Sequence, residues 1–169
     1  SETTTLIGTA GVDSITLRSD LSDGVFLGAQ QSADSIALSG EANRKNFTLK
    51  GGQGNDTFSF DTRLLTESFL NGNANADTFG SAADGARLTD STLQGGKGVD
   101  SIFINTISSS TVNGNKGADS INASDDITSS QLRGGAEDDT ITIGNLSVIN
   151  SLVSGDNGQD SITLSINAA

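Results

Sequence analysis

Eight aspartates recur at nearly even spacing along the 169-residue chain, and each closes a glycine-rich turn. Self-similarity at a fixed period predicts a repeat fold in which equivalent residues stack on one another. Stacked parallel strands lie ~4.8 Å apart, so neighbouring carboxylates would repel by roughly 0.8 kcal/mol even at the dielectric constant of water. A hard cation held between turns by carboxylate and carbonyl oxygens would remove this repulsion. We name these residues the aspartate column: Asp13, Asp34, Asp56, Asp77, Asp100, Asp119, Asp139 and Asp160.

The chain has few basic residues to offset these carboxylates. Nine Lys and Arg stand against 21 Asp and Glu, giving a formal net charge of −12, and only Lys97 and Lys116 lie within the turns themselves. This balance disfavours nucleic acid and anionic membranes as partners, because both require clustered basic residues. The alternative to a cation is an Asx-type corner, in which each carboxylate accepts hydrogen bonds from amides of its own turn.

The composition narrows the function classes further. Cys and His are absent, so disulfides are excluded and catalysis would fall to Asp, Glu or Lys. The uniformly short repeats offer no long loops to shape a catalytic cleft, and we therefore expect a protein that is not an enzyme. No apolar run approaches the ~20 residues needed to cross a bilayer. The chain begins at Ser without a visible signal peptide, which predicts a processed product or a fragment.

The residues around the aspartate column align in further columns that predict short strands. Seven residues before each aspartate the residue is Leu or Val; one after it is Ser or Thr; two after it is Ile or Phe. This period-2 alternation indicates a strand with one buried face and places the aspartates inward or along the corner. Four residues after the aspartates stand Leu17, Leu38, Phe60, Ser81, Ile104, Ala123, Ile143 and Leu164.

A second strand precedes each turn, and a third apolar column lies earlier in the later repeats. From the fourth repeat on, Ser opens the second strand, while residues 18–23 and 40–46 are predicted to be irregular loops. Together these columns predict an all-β parallel β-solenoid of about eight coils, with the right-handed winding usual for parallel crossovers. Residues 1–169 would form a single domain or a segment of a longer array. The third column comprises Leu65, Leu88, Ile107, Ile127 and Val148.

Two turns carry a family resemblance. Residues 51–59 and 95–103 both match the nonapeptide G-G-x-G-x-D-x-U-x completely, and the chain resembles the repeats-in-toxin, or hemolysin-type calcium-binding, proteins. The resemblance implies Ca²⁺ between stacked turns, held by the Asp side chain and turn carbonyls. It also implies export without a cleaved N-terminal signal. The family repeats its nonapeptide in tandem, whereas here it occurs once in about 21 residues, so we expect one calcium edge per coil.

The resemblance can be carried over residue by residue. Asn115 and Asp156 replace the second glycine in two turns, and Glu137 replaces a later glycine in the seventh. The first, second and fourth turns are degenerate, which makes their aspartates the weakest candidates. The implied metal ligands are Gly52, Gly54, Asp56, Gly96, Gly98, Asp100, Gly117, Asp119, Gly135, Asp139, Asp156, Gly158 and Asp160, followed by Asp77, Asp34 and Asp13.

These observations predict a structural calcium-binding module of a secreted or cell-surface protein, such as a surface layer or an adhesin. The partners would be calcium ions and, through exposed terminal coils, another copy of the chain. One alternative is a module whose exposed strand face binds a glycan or another surface protein; another is a virion decoration or fibre protein. Ice binding by the outward hydroxyl column is less favoured, because the parallel column beside it is broken by Ala37, Gly80, Phe103 and Asn122.

Overall fold

The computed structural model describes residues 4–18, 23–40, 43–61, 64–144 and 147–165, and these residues contain strands but no helix. Within these ranges there is no helix that could span a bilayer. In chain order the strands are β1 (Thr4–Ile7), β2 (Ser14–Leu17), β3 (Val25–Gln30), β4 (Ser35–Leu38), β5 (Arg44–Lys45), β6 (Thr48–Gln53), β7 (Thr57–Phe60), β8 (Leu64–Thr66), β9 (Phe69–Ala74), β10 (Thr78–Phe79), β11 (Ala86–Thr89), β12 (Thr92–Lys97), β13 (Ser101–Ser108), β14 (Thr111–Lys116), β15 (Ser120–Ala123), β16 (Ile127–Thr128), β17 (Gln131–Ala136), β18 (Thr140–Ile143), β19 (Val148–Ile149), β20 (Leu152–Asn157) and β21 (Ser161–Leu164).

All the strands pair in parallel and form two sheets of a β-solenoid. The eight-stranded sheet has the order β1-β3-β6-β9-β12-β14-β17-β20. The other strands form a 13-stranded sheet, in which the long strand β13 joins the row after the aspartates to the row of the third column. The predicted parallel β-solenoid is confirmed, with about seven turns rather than the eight coils expected. At ~4.8 Å per turn the rod is roughly 34 Å long.

The apolar columns become continuous ladders inside the rod. Leu27, Leu49 and Leu70 face one another in register and continue through Leu93 to Val112 and Leu132, all with side chains fully buried. On the opposite wall the rings of Phe58 and Phe79 stack with centroids 4.5 Å apart. A coil cannot bury such a face alone, so each repeat depends on its neighbours.

One residue of the predicted columns does not occupy its position. Ser81 was expected in the column with Ile104, but it is exposed and lies outside any strand, because β10 ends at Phe79. Gly80 turns the chain away with a φ of 73°. Ala86, the first residue of β11, is fully buried and pairs with Ile104 instead. The core therefore receives a methyl group where the pattern had placed a hydroxyl.

The loop predicted at residues 40–46 contains a strand, β5, whose first residue is a buried arginine. Arg44 pairs with Leu65 of the third column and is 1% exposed. Its guanidinium donates hydrogen bonds of 2.8 and 3.0 Å to the carbonyl oxygens of Arg18 and Leu17, and one of 2.6 Å to that of Ser39. These three bonds to backbone carbonyls offset part of the cost of burying the charge. Of the other predicted loop, residues 19–22 lie outside the described residues.

The apolar columns end exposed on the last described coil. Ile162 and Leu164 of β21 are 47% and 49% exposed, whereas their partners Ile141 and Ile143 in β18 are buried. The expectation that terminal coils associate stays a prediction, and the chain ends on which it also drew, residues 1–3 and 166–169, lie outside the described residues.

Replacing Leu93 by Ala tests the interior ladder. We expect the free energy of unfolding to fall by about 2–5 kcal/mol, because the substitution leaves a cavity between fully buried neighbours in two coils. Urea unfolding followed by far-UV circular dichroism measures this change. The matched control is Thr92→Ala, one residue earlier on the outer face, where a change within about 0.5 kcal/mol is expected. Equal effects of the two substitutions would contradict the assignment of inner and outer faces.

Candidate metal centre along the aspartate column

Alternation predicts that the aspartates point inward or along the corner, and the column lies inside the rod. The hydroxyl residues that follow the aspartates point outward, so the carboxylates point inward at the corner between the two sheets. Six of the eight carboxylates are almost completely enclosed: Asp34, Asp56, Asp77, Asp100, Asp119 and Asp139, each exposed by no more than 2%.

One oxygen of each carboxylate joins two successive coils. The backbone amide of Asp77 donates a 2.8 Å hydrogen bond to Oδ1 of Asp100, and the amide of Asp100 donates an equal bond to Oδ1 of Asp119. Every step of the column from Asp13 to Asp160 repeats this bond, at 2.7–2.9 Å. The donor therefore comes from the preceding coil, and not from the carboxylate's own turn as in an Asx-type corner.

The first coil differs from the rest of the column. The Thr9 backbone amide and hydroxyl both donate to the carboxylate of Asp13, so this side chain caps its own turn. Thr9 stands where the later turns have Gly52, Gly96 or another residue of the turn. Asp13, expected to be among the weakest metal ligands, is thus supplied with protein donors.

The second oxygen of the six enclosed carboxylates has no hydrogen-bond partner. In each of these aspartates Oδ2 is buried and accepts no bond from the described protein atoms. An unpaired buried polar atom costs about 1–3 kcal/mol, and more when it carries charge. Six such atoms in one row are a shared property of the column, and they require a proton or a cation to meet them.

Four of the unpaired oxygens lie against the first glycine of their turn, at a point that a carbonyl of the next coil also approaches. A Cβ atom at Gly95 would overlap Oδ2 of Asp100 and would lie 2.8 Å from the carbonyl oxygen of Gly114. The same arrangement recurs at Gly51, Gly72 and Gly114. Glycine is required there because the enclosed carboxylate fills the space that a side chain would occupy.

The later glycines of the turns form its left-handed corner. Seven of the predicted ligand glycines have φ between 114° and 152°, where other residues are strained. They pack against backbone atoms of the preceding coil, so a Cβ at Gly98 would overlap the carbonyl group of Asn75. These seven are Gly52, Gly54, Gly96, Gly98, Gly117, Gly135 and Gly158.

Asp156 does not join the aspartate column. Its carboxylate accepts a hydrogen bond of 2.6 Å from the Ser154 hydroxyl and an ion pair of 3.1 Å from Arg133. These contacts lie on the outer side of the eight-stranded sheet. Asp160 stays in the column and accepts the backbone amide of Asp139.

The residues of the column fit a hard cation in the type of donor that they present. The corners of Asp56, Asp77, Asp100 and Asp119 offer an unpaired carboxylate oxygen near a backbone carbonyl oxygen, the ligands that Ca²⁺ prefers. Within the described residues no three acidic side chains converge on one point. A bound ion would therefore draw on Asp56, Asp77, Asp100, Asp119 and Asp139 singly, together with the carbonyls of Gly72, Gly95, Gly114 and Gly134.

Without a cation, burial favours the protonated carboxyl group. Desolvation raises the pKa of Asp77 to about 8 and that of Asp119 to about 7, with a further increase from neighbouring carboxylates. Desolvation raises the pKa of Asp56 and Asp100 to about 6, and it raises the pKa of Asp139 as well. The amide bond to Oδ1 opposes these shifts only in part.

Sequence reasoning noticed the serine that opens each second strand but did not assign it a role. Its hydroxyl accepts the amide of the equivalent serine one coil earlier, at 3.0–3.1 Å, and donates to the carbonyl two residues before it, at 2.6–2.8 Å. The recurrence of Ser at this position in every repeat from the fourth on was the signal in the sequence for such a role. The members of this serine ladder are Ser68, Ser91, Ser110, Ser130 and Ser151.

The fold and the column define a parallel β-solenoid with an internal row of carboxylates. Comparisons of the chain with protein-family models, curated proteins and solved structures find no match. The function is therefore argued from the residues of the column and the two sheet faces.

Replacing Gly95 by Ala tests the cradle around Asp100. The added methyl group would collide with the enclosed carboxylate, so we expect a loss of about 1–3 kcal/mol in the free energy of unfolding. The matched control is Gly11→Ala, where the nearest neighbouring atom, Oγ1 of Thr9, would be 3.8 Å from the new Cβ. Thermal and urea unfolding of both variants measure the difference, and a Gly95 variant as stable as the control would refute the arrangement.

The raised pKa values predict how stability depends on pH in chelator-treated protein. The folded-state pKa of Asp77, about 8, lies above its ordinary value of 3.8, so the folded chain binds more protons between these pH values. The free energy of unfolding should therefore fall as pH rises from about 4 to about 8. Asp77→Asn should flatten the upper part of this decline, whereas the exposed control Asp84→Asn should leave it unchanged. A decline that is identical in both variants would assign it to other groups.

Proposed function

We propose that this chain is a structural module of a secreted or cell-surface protein, in which calcium bound along the aspartate column stabilises the β-solenoid. One observation carries the proposal: six buried carboxylate oxygens without a donor, four of them with a neighbouring carbonyl of the next coil. A protein donor at these points would have made the cation unnecessary, as Thr9 does beside Asp13.

Calcium would supply positive charge where the chain has none. The carboxylates succeed one another at every coil, and none of the described ion pairs reaches them. A divalent ion between successive coils would neutralise neighbouring carboxylates and allow them to stay ionised at neutral pH. Each buried carboxylate would then lie beside a compensating positive charge, and the repulsion between successive carboxylates would be reduced.

Binding of this kind is coupled to folding. The oxygens converge only when coils stack, because successive members of the column are 19–23 residues apart in the chain. Ligand that binds only the folded state adds about 2.7 kcal/mol of stability per site at a hundredfold excess over the dissociation constant. The rod would thus be most stable where calcium is abundant, which supports a role outside the cell.

The parallel stack itself supports a structural role. Each coil contacts its neighbours through two sheets, so the rod is held along its length by repeated contacts of the same kind. A module of this shape provides stiffness and spacing, as surface layers and adhesins require.

Calcium-dependent unfolding tests the proposal. In the wild-type chain, millimolar Ca²⁺ should raise the urea midpoint measured by circular dichroism relative to excess chelator, and Mg²⁺ should do so less. The double variant Asp100→Asn and Asp119→Asn should lose part of this increase. Isothermal titration calorimetry should show fewer bound ions in that variant.

The matched control removes two exposed carboxylates from elsewhere on the rod. Asp84→Asn together with Asp90→Asn changes the net charge equally but touches no member of the column. This control should keep the full response to Ca²⁺. An unchanged wild-type midpoint in calcium, or equal loss of the response in both double variants, would refute calcium binding by the column.

A further inference from the structure

Basic residues outnumber acidic ones on one sheet of this acidic rod, which holds four of the chain's nine Lys and Arg. The strands of the eight-stranded sheet contain four basic residues and a single acidic one, Asp156, although the whole chain has a net charge of −12. Asp156 is already paired with Arg133. The remaining basic residues of this face are Lys50, Lys97 and Lys116.

A shallow groove crosses the outer side of this sheet over β9, β12 and β14. Its volume is about 300 Å³, and its floor includes Gly96, which has no side chain to fill it. Amide and ammonium groups line the rest: Asn71, Asn73, Gln94, Asn115, Lys97 and Lys116. We name this the amide–lysine groove.

Two lysines stand side by side in this groove without a carboxylate. Lys97 and Lys116 are exposed and directly opposite each other in the register of β12 and β14. Like charges opposite each other on neighbouring strands destabilise a sheet. Elsewhere on the described rod Lys45 has Glu67 at 3.0 Å, but neither groove lysine forms an ion pair with a described residue. An anion from outside the chain would relieve this repulsion.

The amides of the face direct donors outward. Oδ1 of Asn71 accepts the backbone amide of Asn73 at 2.8 Å, and Oδ1 of Asn113 accepts that of Asn115 at 2.9 Å. These bonds fix which end of each side-chain amide meets the backbone. The NH₂ groups of Asn71 and Asn113 therefore lie on the far side. That of Asn71 donates one hydrogen bond of 3.3 Å to Oε1 of Gln94, which leaves its second N–H and the NH₂ group of Gln94 as donors beside the ammonium groups.

The chemistry of this face fits one class of polymer. A ligand must supply many acceptor oxygens and some negative charge, along a flat surface whose rungs repeat every ~4.8 Å. The half-buried ring of Phe69 begins the same strand, β9, and adds an apolar contact two residues before Asn71. A polysaccharide offers hydroxyl oxygens for the amides, widely spaced acidic groups for the lysines and an apolar ring face for the phenylalanine. Duplex DNA, with one charge per ~1.7 Å, would meet strong repulsion from the rest of this acidic chain.

We propose that the amide–lysine groove binds an anionic polysaccharide, with Lys97 and Lys116 contacting its carboxylate or sulfate groups. The amide donors of Asn71 and Gln94 in the groove, and of Asn113 beside Gln94 on β14, would contact hydroxyl oxygens. The groove adjoins the turns that carry the aspartate column, but its side chains lie on the outer face whereas the carboxylates are enclosed.

Binding to defined polymers tests the proposal. The wild-type chain should bind alginate, which carries carboxylates, or chondroitin sulfate, which also carries sulfates at wide spacing, and should bind neutral dextran much more weakly. The double variant Lys97→Gln and Lys116→Gln should lower affinity for the charged polymer by about tenfold or more. Asn113→Ala should also lower it, without any change of charge. Biolayer interferometry at two salt concentrations measures these affinities, and circular dichroism verifies that the variants fold.

The matched control removes two positive charges from the other sheet. Lys45→Gln together with Arg87→Gln alters the net charge equally, and both residues are exposed and distant in register from the groove. This control should change affinity by less than about twofold. The proposal is overturned if neither charged polymer binds, if the control variant loses affinity equally, or if duplex DNA binds as tightly as the polysaccharides.

Discussion

The structure depends on the stacking of each coil against the next at the turn that carries the aspartate column. There, one carboxylate oxygen accepts the backbone amide of the preceding aspartate, in bonds of 2.7–2.9 Å that run the length of the rod. A charged acceptor makes such bonds stronger than neutral ones. The position of the carboxylate that allows this bond also encloses its second oxygen, Oδ2, which has no hydrogen-bond partner. The bond between coils is therefore accompanied by a requirement for a proton or a cation at Oδ2.

The two other supports of the rod follow a similar rule. The serine ladder joins successive coils through side-chain to backbone hydrogen bonds. The buried apolar row that runs from Leu27 to Leu132 fills the space between the corners. The buried serine hydroxyls and the Oδ1 atoms of the aspartates therefore have partners in a neighbouring coil, whereas Oδ2 of the enclosed aspartates has none among the described residues. That exception distinguishes the aspartate corner from a purely structural one, because the serine hydroxyl can both accept and donate while an ionised carboxylate can only accept.

Acidic and basic residues are distributed unevenly between the interior and the outer faces of the rod. The carboxylates of the column are turned inward, and the outer side of the eight-stranded sheet keeps amides and lysines with one acidic residue among them. A net charge of −12 thus does not describe every surface of the molecule. Stability at the corner and recognition on the sheet face use different side chains, so the two can be altered separately.

The sequence by itself determined the period, the parallel β-solenoid, the buried face of each strand and the inward direction of the aspartates, because alternation and stacking fix all of these once the columns align. It misplaced Ser81 and overlooked β5, where the turns vary in length and Ala86 and Arg44 fill the core instead. Only the tertiary structure decided which amide meets each Oδ1, which oxygen stays unpaired, and that Lys97 and Lys116 stand side by side. Those relations join residues about twenty positions apart, and they depend on the register between coils and on rotamers that no single repeat specifies.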